Sequence, residues 1–134
     1  MLNQSHGFIG IVFLMILLLA ALGTKITYAD EAVTGEMAVE TKNAIDEYVK
    51  QDSNLKGSFF IYDEITKQVL DLKYDHTHKT VKKTDSGKYL ACVDFVDDSK
   101  TIYDLDFYLD KTRAGNWEVY EIVIHKVNGQ SRLQ

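Results

Sequence analysis

The 134-residue chain contains no proline and a single cysteine, Cys92. The first absence excludes a proline-rich linker, and the second excludes an intramolecular disulfide, so the fold must hold by packing. No Cys-x-x-Cys-His occurs, which rules out covalently attached c-type haem, and no His-Glu-x-x-His or glycine-rich strand-to-helix loop is present. Ser58, Ser86 and Ser99 lack a neighbouring His and acid of the kind that activates a nucleophile. Positive charge is also in short supply: 15 Lys and Arg stand against 20 Asp and Glu, a net charge of −5. Without Lys/Arg stripes the chain is unsuited to nucleic acid or to anionic membrane surfaces, and soluble basic partners or cations are the ligands its charge allows.

What is present first is an apolar run from Phe8 to Leu22, 15 residues long. It falls short of the roughly 18–20 residues needed to span a bilayer, and Thr27 and Ala29 provide the small residues of a cleavage site before Asp30. The segment 1–29 therefore reads as a signal peptide and the protein as exported, periplasmic or secreted. Met1 to Gly7 holds no Lys or Arg and Lys25 lies on the far flank, so an uncleaved anchor is the alternative and the sole expected tie to a membrane. No Cys follows the run, which excludes lipid attachment there. Residues 30–134 are then a single α+β domain with 14 basic residues, the 15 less Lys25, against 20 acidic. A chain of this size can bury one core.

From Glu31 to about Asp52, Val33, Met37, Ala38, Thr41, Ala44, Ile45, Tyr48 and Val49 recur at spacings of three and four, which draws one apolar stripe on a helix ended near Gly57. Beyond Gly57 the period becomes two. Candidate strands are Ser58–Tyr62, Gln68–His76, Lys88–Val96, Thr101–Leu109 and Trp117–Val127, separated by polar turns short enough for antiparallel hairpins. The expected fold class is α+β: one N-terminal helix packed on a curved antiparallel sheet of four to five strands.

In this element order, over roughly residues 31–127, the chain resembles the cystatin-like and nuclear-transport-factor-2-like α+β domains. The resemblance implies a scaffold often used for binding. It carries over no functional residue: the cystatin Gln-x-Val-x-Gly loop is missing, and Trp117 follows Asn116 where cystatins have a Pro-Trp hairpin.

Alternation assigns Tyr89, Ala91, Val93 and Phe95, then Tyr103, Leu105, Phe107 and Leu109, then Tyr120, Ile122 and Ile124 to the core face. Matching those faces pairs Phe95 with Tyr103 and Phe107 with Tyr120. The outer face then sets Asp94 opposite Asp104, Cys92 opposite Asp106, Asp106 opposite Glu121 and Ile102 opposite His125, interleaved with Trp117 and other apolar residues. Like charges directly opposed across strands repel, so a carboxylate patch of Asp94, Asp104, Asp106 and Glu121 is built to bind something unless its members splay into water. Oxygen donors alone suit Ca²⁺; adding Cys92 or His125 favours Zn²⁺ or Cu. Cys92 is otherwise a small buried hydrophobe.

His76 and His78, two apart on a strand, point the same way and either end the core face or share a metal. They join His125 only if their strand is bulged. Lys79, Lys82, Lys83 and Lys88 read as a solvated loop face. The expected function is a non-catalytic binding module whose outer sheet face, Asp94, Asp104, Asp106, Glu121 and Trp117, takes a partner subunit, a second copy of the chain, or a cation. The alternatives are a metal protein holding Ca, Zn or Cu through Cys92, His125, His76 or His78, and a small acid–base enzyme with a pocket in the curved sheet.

Overall fold

The computed structural model describes residues 30–132, so the expected export segment lies outside the described residues. Helix α1 (Gly35–Lys56) buries Thr41, Ile45 and Val49, residues four apart that stack on one face. Thr41 satisfies its buried hydroxyl by donating to the Met37 carbonyl oxygen at 2.8 Å. The helix stops at Gly57, whose left-handed φ of 85° lets its N–H reach the Ser53 carbonyl oxygen at 2.8 Å. It starts four residues later than the apolar spacing suggests. Thr34 is extended and Gly35 has φ 69°, so the chain turns there, and strand β1 (Glu31–Val33) pairs with Val81–Lys83 instead.

The remaining strands are β2 (Phe59–Asp63), β3 (Gln68–Lys83), β4 (Tyr89–Val96), β5 (Ile102–Lys111), β6 (Trp117–Val127) and β7 (Gln130–Ser131). All pairings are antiparallel, in the order β1-β3-β4-β5-β6-β7, with β2 on the first five residues of β3. The fold is α+β, one helix on a strongly curled sheet. It has more strands than the four to five expected, because β1 and β7 are three and two residues long and too short to show a period. β3 also continues through Lys79, Lys82 and Lys83, which are strand residues and not a loop face.

The core lies between α1 and the concave sheet. Ile45 and Val49 meet Phe59, Leu72, Val81, Ala91, Val93, Phe95, Tyr103, Leu105, Phe107 and Leu109. Phe59 stacks on Phe95 at 4.6 Å and Phe95 on Phe107 at 6.3 Å between ring centroids. Each such side chain contributes roughly 1.5–3 kcal/mol through burial alone.

An ion pair joins the chain beyond β7 to β2: the Arg132 Nη1 donates to Asp63 Oδ2 at 2.6 Å. Asp63, 2% exposed, also accepts from the Ile65 N–H and the Thr66 hydroxyl. Burial opposes its charge, but Arg132 and these turn donors outweigh it and hold the carboxyl at about 2. No helix among the described residues is long and apolar enough to cross a membrane.

Candidate metal centre

The β4/β5 register is the one alternation requires, with Asp94 opposite Asp104, Cys92 opposite Asp106 and Phe95 opposite Tyr103. Asp104 and Asp106 therefore leave β5 on the face away from α1. They are nevertheless 7% and 3% exposed, an unusual depth for two carboxylates on the outer face of a sheet.

The third strand arrives by a bulge. Asp104 pairs with Lys126 and Leu105 with Ile124, so His125 is the extra residue in β6. Both His125 and Lys126 consequently reach the carboxylates: His125 Nδ1 lies 3.3 Å from Asp106 Oδ1, and Lys126 Nζ lies 3.4 Å from Asp104 Oδ2. Bulges re-aim side chains in this way wherever one strand carries an extra residue.

Cys92 completes the set. Its thiol donates to Asp106 Oδ1 at 2.9 Å. Cys92, Asp104, Asp106 and His125 each offer a ligand atom, and these four atoms lie within 4.8 Å of one another. Burial, then the hydrogen bond and charge of Asp106 and the charge of Asp104, push the Cys92 thiol far above its usual range. A neutral S–H is a weak donor and compensates a buried carboxylate poorly. Asp104 Oδ1 is buried and has no hydrogen-bond partner among the described residues.

A second group stands beside the first. Asp75 is the extra residue where Tyr74 pairs with Phe95 and His76 with Asp94, and this bulge turns His76 from the core face to the outer one. His78 follows two residues on. His78 Nε2 lies 3.1 Å from Asp94 Oδ1 and His76 Nε2 3.9 Å from Asp94 Oδ2. The two imidazoles stack at 5.3 Å, and Asp75 Oδ2 holds His76 Nδ1 at 2.7 Å. The Asp75 hydrogen bond, and the charge of Asp94 with it, raise the His76 pKa against the modest cost of burial.

Two residues expected among the donors on this face are placed differently. A second bulge, at Tyr120, sets Tyr108 opposite Glu121 and Leu109 opposite Val119. Glu121 is exposed and, opposite Tyr108, still on the outer face, but the expected Asp106–Glu121 and Phe107–Tyr120 pairs do not form, since Asp106 faces Val123 and Phe107 faces Ile122. Trp117 packs against the core side, with Tyr89 at 5.1 Å and the Lys111 ammonium 4.9 Å from its ring. Sequence reasoning missed Lys126 and Asp75. The core-packed spacing Ile122, Ile124, Val127 carries the signal for the first, because a step of two followed by a step of three requires an extra residue between.

Clefts lie elsewhere among the described residues. One of about 260 Å³ runs between α1, β2 and β6 and is lined by Tyr48, Asp52, Lys56, Phe59 and Glu121 among others; it includes no member of either donor group. Compared with protein-family models, curated proteins and solved structures, the chain matches none.

Proposed function

We propose that the protein is an exported, non-catalytic binding module whose ligand is a divalent transition metal, best matched by Zn²⁺, held by Cys92, Asp104, Asp106 and His125 on the outer face of a cystatin-like α+β sheet. The observation that carries this reading is four mixed donors within 4.8 Å of one another, one belonging to an Asp with a buried oxygen that has no partner among the described residues. Ligand-to-ligand separations around tetrahedral zinc follow from bonds of roughly 2.0–2.3 Å, so small side-chain adjustments would close the set.

Charge argues the same way. With a neutral thiol the set holds two carboxylates against one Lys126 ammonium. Loading a divalent ion releases the thiol proton and leaves three anionic ligands against the ion and Lys126, which balances the site. Thiolate and imidazole favour zinc over Ca²⁺, whose ligands are oxygens. Four protein donors fill a tetrahedral ion and leave no open position for substrate, which is why the reading is non-catalytic. The acid–base alternative would need a pocket around His76 with Asp94 or Asp104, and the cleft described above is lined by none of the three.

Calorimetric titration of the metal-stripped chain with Zn²⁺ tests the proposal. Binding with proton release that Cys92→Ser and Asp106→Asn each weaken by tenfold or more is expected; no heat above dilution, or affinity untouched by both substitutions, would overturn it.

A further inference from the structure

We propose that His76, His78 and Asp94 form a second, solvent-open transition-metal site that captures the ion and passes it to the buried set. The inference rests on the buried set being a metal site, and it adds a second ion and a route. Three features of the open group support it. Its donors lie within 4.8 Å of one another, and the side chains of His76, His78 and Asp94 are 58%, 34% and 22% exposed, against 26%, 9% and 5% for His125, Asp104 and Asp106. His76 and His78 are therefore the imidazoles most open to an ion arriving from solvent.

The imidazoles are also oriented for the task. Asp75 accepts from Nδ1–H of His76, which leaves the Nε2 lone pair facing Asp94. A carboxylate on the far nitrogen is the usual support of a metal-bound His, and Asp75 is a positioning residue here. Two imidazoles and one carboxylate leave coordination positions free, so an ion held there keeps exchangeable water and leaves readily.

The third feature is adjacency. Asp94 is paired directly with Asp104 across β4 and β5, which separates their Cα atoms by roughly 4.5–5.5 Å. Asp94 belongs to the open group and Asp104 to the buried one, so a cation moving between them passes from one carboxylate to its cross-strand neighbour without returning to bulk solvent. The repulsion between those two carboxylates is what a transiting cation would relieve.

Co²⁺ distinguishes the two groups, because only a site containing the Cys92 thiolate produces a near-ultraviolet sulfur-to-metal charge-transfer band. Titrating the full chain should bind two Co²⁺, the band saturating with the first. In the variant His76→Ala/His78→Ala, one ion should bind and the band should reach wild-type amplitude at least tenfold more slowly in stopped flow. Asp75→Asn, which keeps all three donors, should slow it about threefold. A double variant that loads at the wild-type rate, or still binds two ions, overturns the proposal. Absence of the band in wild type is a different failure, that of the buried site itself. Because His76 and His78 lie at the surface, an unchanged melting temperature in chelator confirms that the variant is folded.

Discussion

Strand β5 buries side chains on both of its faces, for opposite physical reasons. Toward the helix it sends Tyr103, Leu105, Phe107 and Leu109, whose burial is favourable in itself. Away from the helix it sends Asp104 and Asp106, as deeply enclosed as the core, although burying a carboxylate costs free energy unless partners or a cation offset it. On the inner face side chains satisfy one another. On the outer face one lysine, one thiol and one imidazole serve two carboxylates and leave Asp104 Oδ1 without a partner among the described residues. An apolar face explains a fold; a buried polar face that its own residues leave incomplete points to a ligand.

The largest effects belong to the inner face. Phe95→Ala and Phe107→Ala should each destabilise by about 3–5 kcal/mol and Leu105→Ala by about 2–5 kcal/mol in denaturant melts, since all three are 0% exposed. Ile122→Ala, at a half-buried position, should lose about 1–2 kcal/mol. Losses under about 1 kcal/mol at Phe95 and Leu105 would mean that the two faces have been interchanged.

The outer face should respond to metal and not to hydrophobic truncation. At a free Zn²⁺ concentration of 100 times the dissociation constant, the wild type should gain about 2.7 kcal/mol over the protein in chelator. Cys92→Ser should lose most of that gain, as read by thermal melts with and without Zn²⁺.

A control away from both faces is the Asp63–Arg132 pair. Its folded pKa of about 2 lies below the usual carboxyl value, so the stability it contributes is present above about pH 4 and is lost as pH falls toward 2. The shift corresponds to about 2 kcal/mol. Asp63→Asn should remove that share of the acid limb of a stability–pH curve and leave the Zn²⁺ response intact; an unchanged acid limb would contradict the ion-pair account.

The smallest expected effect has the most informative sign. In chelator, Asp104→Asn should stabilise by about 0.2–1 kcal/mol, because relief from Asp94, Asp106 and a partnerless oxygen outweighs the loss of attraction to Lys126. In Zn²⁺ the same variant should be the less stable protein. A loss of stability in both conditions would assign Asp104 a purely structural ion pair.

The class of fold, the helix stripe at Thr41, Ile45 and Val49, and the pairing of Asp94 with Asp104 were legible because strict alternation governs β4 and β5, where no bulge interrupts their ladder. The expected register failed at β6 and the facing at β3, where Asp75, His125 and Tyr120 are extra residues. A bulge reverses which face the following residues take, and single-residue alternation does not register it. Trp117 was misplaced for that reason, and Lys126 and Asp75 overlooked for the same one, while Glu121 keeps its face and lies opposite Tyr108, two residues along β5 from the expected Asp106. The polar residues that surround the carboxylates owe their positions to those irregularities, so the acidic stripe could be read from the sequence while its enclosure could not.

X-ray absorption spectroscopy at the zinc edge, on the full chain loaded with one equivalent of Zn²⁺, tests the central claim most directly. The account predicts a four-coordinate ion with one sulfur at about 2.3 Å and three nitrogen or oxygen neighbours at about 2.0–2.2 Å, the sulfur shell vanishing in Cys92→Ser. A shell of oxygen and nitrogen alone in the wild type would contradict it.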